Sequence, residues 1–213
     1  MGSNPTPSAT GRQPEPVFDG VTMAILLAFA PFLVFAVVDR ALGPTEGLVA
    51  GALTSAALLI RDWLSADRTP KILEVGTLLL FGGLALYALF GGPTWSVIGV
   101  RLCVDAGLLA IVLASMVVGR PFTIQYARER VSPEVWSSPE FLRTNYVITA
   151  VWALAFGIMV VAELALLYLP GMHPRVGIVA IVLALVGAVK FTGWYPERRR
   201  SRPGSSAGGA RGG

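Results

Sequence analysis

The amino-acid sequence predicts an all-α polytopic membrane bundle of six transmembrane helices, with both termini cytoplasmic. Three observations predict it. First, 54% of the 213 residues are hydrophobic and only 14% are charged, with a mean hydropathy of +0.66. A soluble domain carries about 25% charge, and one small water-soluble core does not bury this much apolar surface. Second, apolar stretches lie at 20–38, 45–62, 72–91, 95–118, 144–168 and 175–194. Each approaches the ~20 residues a helix needs to cross ~30 Å of hydrocarbon, and open strands there would leave backbone groups unpaired. Third, the basic residues sort by side. With six spans, thirteen Lys and Arg fall in the tails and the 2–3 and 4–5 connections, and only Arg40 and Arg175 fall opposite. The positive-inside rule then places both termini in the cytoplasm.

Residues 1–17 carry four prolines and few large apolar side chains, so they read as a disordered tail. The start resembles a myristoylation pattern, but Pro5 interrupts it, and a chain with several spans needs no lipid anchor. The first span lacks a basic n-region and a small-x-small site before Asp39 and Arg40, so it is not read as a signal peptide. Aromatic residues sort to two levels. Trp63, Trp136, Trp194 and Tyr195 mark the inner interface, and Tyr87, Phe90, Trp95 and Tyr168 the outer one. Trp152 fits neither level and is expected to pack between helices. Gly82-Gly83 in span three reads as either a break or a close helix crossing.

The outer connections are short, so no external domain is expected. The sizeable loop is 119–143, on the cytoplasmic side. Within it, Ser138-Pro139-Glu140 has the pattern of a helix start, with an N-cap, a proline at the first position and an early acid. Span five is therefore expected to begin below the membrane. Ser132-Pro133-Glu134 repeats the signal and predicts a short turn. Phe122, Ile124, Tyr126 and Trp136 are placed among headgroups, with Arg128 and Arg130 meeting anionic lipid or a partner; a solvated linker is the plainer reading. The domain spans 18–195, and 196–213 forms a basic Gly/Ser-rich disordered tail whose arginines set topology rather than bind nucleic acid.

Ionisable residues inside spans are functional candidates by default. Arg101 and Asp105 lie four residues apart on one helix face, and Glu163 is at a similar depth in span five. They form either a buried pair that fixes helix packing or a polar path. Glu74 and Lys190 are expected to snorkel, and Asp39, Asp62 and Glu46 to be solvated at span ends. Asn145 and Thr149 are expected to hydrogen-bond across helices. Stripes Gly47/Gly51/Ser55, Ala106/Ala110/Ala114 and Ala180/Ala184/Ala188 allow close packing within the chain or in a homo-oligomer. One Cys, Cys103, reads as a small buried residue, and one His, His173, as a surface residue. They exclude a disulfide framework, a Cys-based zinc site and a His-rich metal centre. No phosphate loop, nucleophile elbow or dinucleotide fingerprint is present. No cofactor, metal or catalytic residue is expected.

Five segments carry a family resemblance: FAPFLVFAVVD in span one, KILEVGTLLLFGGLALY in span three, the GRPF turn after span four, PEVW before span five, and NYVITAVWALAFGIMV within it. Over roughly residues 24–195 the chain resembles the intracellular septation protein A family of bacterial inner-membrane proteins. The resemblance implies a multi-pass inner-membrane protein connected with cell division and envelope maintenance, and it brings no catalytic residue. The expected function is a non-enzymatic membrane role through division or envelope protein partners. The alternative is a small transporter or lipid-handling protein using Arg101, Asp105 and Glu163.

Overall fold

The computed structural model describes residues 17–65, 70–91, 96–169, 171 and 173–200. Among them the regular structure is all helical. Eight α-helices run in order: α1 Val17–Ala28, α2 Ala30–Ala41, α3 Pro44–Leu64, α4 Ile72–Phe90, α5 Val97–Val117, α6 Phe122–Arg128, α7 Pro139–Tyr168 and α8 Pro174–Arg200. Helices α3, α4, α5, α7 and α8 are each long and apolar enough to cross a membrane. Helices α1 and α2 reach that standard as a pair. Leu33, Leu79, Leu154, Val161 and Leu183 project outward, each more than 60% exposed, as a lipid-facing surface requires.

The first apolar stretch is expected as one helix but is bent by 45° between α1 and α2. The sequence AFAPF explains it. Pro31 in the first turn of α2 has no N–H to donate, and its ring crowds the carbonyl one turn earlier. The chain instead makes two short turns through Phe29, whose N–H reaches the Leu26 carbonyl at 3.1 Å.

Gly82 and Gly83 neither break α4 nor sit at a crossing: a Cβ at either would meet nothing within 4 Å. Gly51 does mark a close approach, since a Cβ there would lie 2.7 Å from the Phe81 ring. Gly47, Gly51 and Ser55 are all buried, so this stripe packs within the chain. Ala106, Ala110 and Ala114 instead face outward, as does Cys103, which corrects the expectation that the thiol is buried.

Two apolar clusters hold the bundle. The larger joins α1, α4, α5, α6, α7 and α8 around the rings of Phe29, Phe122, Trp152 and Phe156. Trp152 packs between helices as expected; it stacks on Phe29 at 4.7 Å between ring centres and donates its indole N–H to Thr192 Oγ1 at 3.0 Å. The smaller cluster joins α2, α3, α4 and α5 through Phe35, Leu48, Phe81 and Val104. Helix α8 continues to Arg200, past the expected start of a disordered tail at 196, with Pro196 inside it. Arg198 and Arg199 lie over the rings of Trp194 and Tyr195, one turn earlier, which ties down the extension. The expectations for 1–16, Trp95 and 201–213 lie outside the described residues.

Candidate functional site

Buried charges gather at two places. One is the end of the bundle carrying α6, where α3 ends and α4 begins. The other is the opposite end, where α2 ends and α5 begins.

At the α6 end the chain after α5 folds back into the bundle. Helix α6 has only seven residues, too few to hold itself in water, so its stability comes from its neighbours. The Phe122 N–H reaches Ser115 Oγ of α5 at 3.2 Å. Thr123 Oγ1 donates to the Asn145 carbonyl of α7 at 3.0 Å and lies 2.8 Å from Thr149 Oγ1. Gln125 Oε1 accepts the Ile72 N–H at 2.8 Å, capping the first turn of α4. Phe122, Ile124 and Tyr126 are buried in protein, which corrects their placement among headgroups. A folded, pinned segment also replaces the reading of a solvated linker.

This fold assembles a charged cluster. Lys71, at the N-cap of α4, is 3% exposed. Its ammonium donates to Asp62 Oδ2, to Glu129 Oε1 at 2.9 Å and, more weakly, to Glu74 Oε1 at 3.4 Å. It also lies 5.1 Å above the Tyr126 ring. Arg61 grips Asp62 Oδ1 through Nε at 2.9 Å and an Nη at 2.7 Å. Asp62 and Glu74 are therefore buried and engaged, not solvated or snorkelling as expected. Burial opposes the Lys71 charge, but the bonds to Asp62 and Glu129 and the charge of Glu74 outweigh it, and its pKa lies above the ordinary lysine value. The Tyr126 phenol is pushed well up by burial first, and then by the carboxylates of Glu74, Asp62 and Glu129.

Beside the cluster lies a cavity of about 90 Å³. Its charged wall is Arg61, Lys71, Glu74, Glu129 and Arg130, with Tyr126 between; its apolar wall includes Met23 and Leu27. Two buried polar atoms on this wall, Glu74 Oε2 and Tyr126 Oη, have no hydrogen-bond partner. Arg130 thus reaches the cavity, packed against Gly20 of α1. Arg128 points outward instead and lies 5.3 Å above the Trp136 ring, whose indole N–H is held by the Val131 carbonyl at 3.1 Å. The Ser138 cap is as expected, with Oγ accepting the Phe141 N–H at 3.2 Å, and the predicted turn is a 3-10 helix at Pro133–Val135. Of the cavity residues, the sequence singles out Arg130 as a contact residue, whereas Arg61 and Lys71 carry only a topology signal there.

At the opposite end the pairing differs from expectation. Arg101 donates not to Asp105 or Glu163 but to Asp39, through Nε at 2.8 Å and through an Nη. The reason is helix geometry. Side chains tilt toward the helix N-terminus, so Arg101 reaches toward the end of α2 and away from Asp105 one turn below. Asp39 is buried, not solvated, because Gly47 lets its backbone close in; a Cβ there would lie 2.9 Å from the Asp39 Cβ. Asp105 and Glu163 are also buried, within electrostatic reach of each other and of Arg101. Asp39 Oδ1 and Glu163 Oε2 accept no hydrogen bond. Thr149 bonds across helices as expected, whereas the Asn145 side chain donates to Phe141 in its own helix at 2.9 Å. Lys190 and His173 are exposed. Among the described residues no group of three or more His, Cys, Asp or Glu could hold a metal ion.

No family model matches the chain, and neither a curated protein nor a solved structure matches it.

Proposed function

We propose that this chain is a non-enzymatic, multi-pass protein of a bacterial cytoplasmic membrane, with both termini and the α6 end in the cytoplasm, and that it acts by binding at that end. The observation that carries this reading is the folded 119–143 segment. A short helix is fixed against α4, α5 and α7 by side-chain hydrogen bonds and stands over a charged cavity. A loop that only connected two spans would need none of these contacts. The thirteen-to-two distribution of basic residues supports the orientation. The resemblance to the septation protein A family supports a role in cell division or envelope maintenance through protein partners. Exposed Arg128, stacked on Trp136, offers a cationic surface for such a partner or for anionic lipid.

Two experiments test it. A reporter active only in the cytoplasm should be active when fused after Arg200 and inactive at residue 93; equal activity at both sites rejects the orientation. Capture of the tagged protein from native membranes should recover envelope or division proteins, and Arg128→Glu with Arg130→Glu should deplete them. Unchanged capture rejects the binding surface.

A second reading has its own observation. One arginine faces three buried carboxylates at the opposite end, and two carboxylate oxygens there have no partner. Such a group suits a small transporter. Glu163→Gln with wild-type expression and lost cellular complementation would favour it.

A further inference from the structure

The cavity at the α6 end has a chemistry that specifies an occupant. Glu74 and Tyr126 are 3% and 2% exposed, both line the cavity, and each has a buried oxygen with no partner. A buried polar atom without a partner is unfavourable, so a ligand that supplies one is favoured. As a carboxylate facing the Lys71 ammonium, Glu74 accepts at Oε2, so its ligand atom is a donor. Lys71 cannot serve, because its ammonium is already directed at Asp62, Glu129 and Glu74 Oε1. The lining carries Arg61, Lys71 and Arg130 beside Glu74 and Glu129, so cationic and anionic groups of a ligand both find an opposite charge there. The apolar wall narrows the choice further. Met23 and Leu27 are 66% and 46% exposed on α1, so the cavity is continuous with the surface that meets acyl chains.

We infer that this cavity seats the head group of a zwitterionic phospholipid carrying a primary ammonium. The ammonium is taken by Glu74 Oε2 and Tyr126 Oη, the phosphate by the guanidinium of Arg130, and an acyl chain lies along Met23 and Leu27. The inference rests on the reading that the α6 end lies at the membrane–water interface. The same ammonium-and-phosphate chemistry exists in soluble aminoalkyl phosphates, but these would leave the apolar wall unused.

The test uses the full chain in detergent, with native mass spectrometry of bound lipid. Phosphatidylethanolamine, phosphatidylcholine and phosphatidylglycerol with identical acyl chains are offered in equal amounts. Phosphatidylethanolamine should be retained about tenfold over phosphatidylcholine, whose quaternary ammonium has no N–H for Glu74, a preference of ~1.4 kcal/mol. Tyr126→Phe should reduce that preference, since Glu74 remains, yet melt no lower than wild type without lipid, because Tyr126 Oη has no partner to lose. Arg130→Gln should weaken both lipids alike and leave their ratio unchanged. Equal retention of the two lipids, stronger retention of phosphatidylglycerol, or an unchanged preference in Tyr126→Phe would overturn the inference. Displacement by equimolar soluble O-phosphoethanolamine would overturn the lipid assignment. The preference is read in detergent and does not depend on orientation, so its failure is separable from failure of the reporter experiment.

Discussion

The two charged ends of the bundle hold their buried carboxylates in opposite ways. At the α6 end the cation itself is buried: Lys71 is 3% exposed and contacts three carboxylates, with Arg61 adding a second cation for Asp62. At the opposite end the Arg101 side chain is 35% exposed and holds only Asp39, while Asp105 and Glu163 lie nearby without it. A buried ammonium has lost its water and depends on its partners. A half-exposed guanidinium keeps part of its hydration. The first cluster is therefore a junction joining α3, α4 and the segment after α6, and the second is one clasp between α2 and α5.

Removing the cation should separate the two ends most strongly. Lys71→Met leaves buried Glu74 without its cation and takes one of the cations from Asp62, which keeps Arg61, and should cost ~3–5 kcal/mol, the usual penalty for breaking a buried pair. Arg101→Leu should cost clearly less. Melting temperatures in one detergent check both, and an equal or larger loss for Arg101→Leu would break the comparison.

Steric tests come next. Gly47→Ala forces a methyl against the Asp39 backbone and should cost ~1–3 kcal/mol. Gly20→Ala meets only the flexible Arg130 side chain at 3.3 Å, and in mid-helix it should be neutral or stabilising by up to ~1 kcal/mol. Thermal melting of the two variants, with opposite signs expected, distinguishes a rigid contact from a pliable one.

How much of this was legible depends on range. Spans, caps and orientation signals are local, so the Ser138 cap and the boundaries of α3, α4, α5 and α7 followed from nearby residues, whereas α8 runs past the expected end to Arg200. Pro31 was also local and predicts the bend, but it lies inside a continuous apolar run that reads as one span. Ion-pair partners are not local. Arg101 and Asp39 are 62 positions apart, and the i,i+4 neighbour Asp105 was the only candidate that periodicity offers. Asp62 and Lys71 flank one short connection, where hydrophilic residues look solvated until α6 folds over them. That folding depends on Thr123, Gln125 and Ser115, polar residues whose partners lie on three other helices.

A smaller effect should come from the α6 anchor. Thr149→Val removes one interhelical hydroxyl contact and should cost ~0.6 kcal/mol, up to ~1.7. Faster hydrogen exchange in 122–128, with the ends of α2 and α5 unchanged, would localise it to the α6 end. The smallest effect is on pH. Lys71 and Tyr126 both have folded pKa values above their ordinary ones, so the folded state holds protons that the unfolded state releases. Their stabilisation is complete below the ordinary tyrosine and lysine values of 10.0 and 10.5 and is lost as pH rises beyond them. The melting temperature should therefore fall above about pH 10, less so in Lys71→Met with Tyr126→Phe.

Paired double-mutant cycles, Lys71→Met with Asp62→Leu and Arg101→Leu with Asp39→Leu, test the contrast most directly when melted in the same detergent. The contrast requires non-additivity in both cycles, with the larger coupling for Lys71 and Asp62, and only a weaker coupling when Arg101→Leu is combined with Asp105→Leu. A coupling between Arg101 and Asp105 that exceeds the coupling between Arg101 and Asp39, or an additive Lys71–Asp62 cycle, would contradict it.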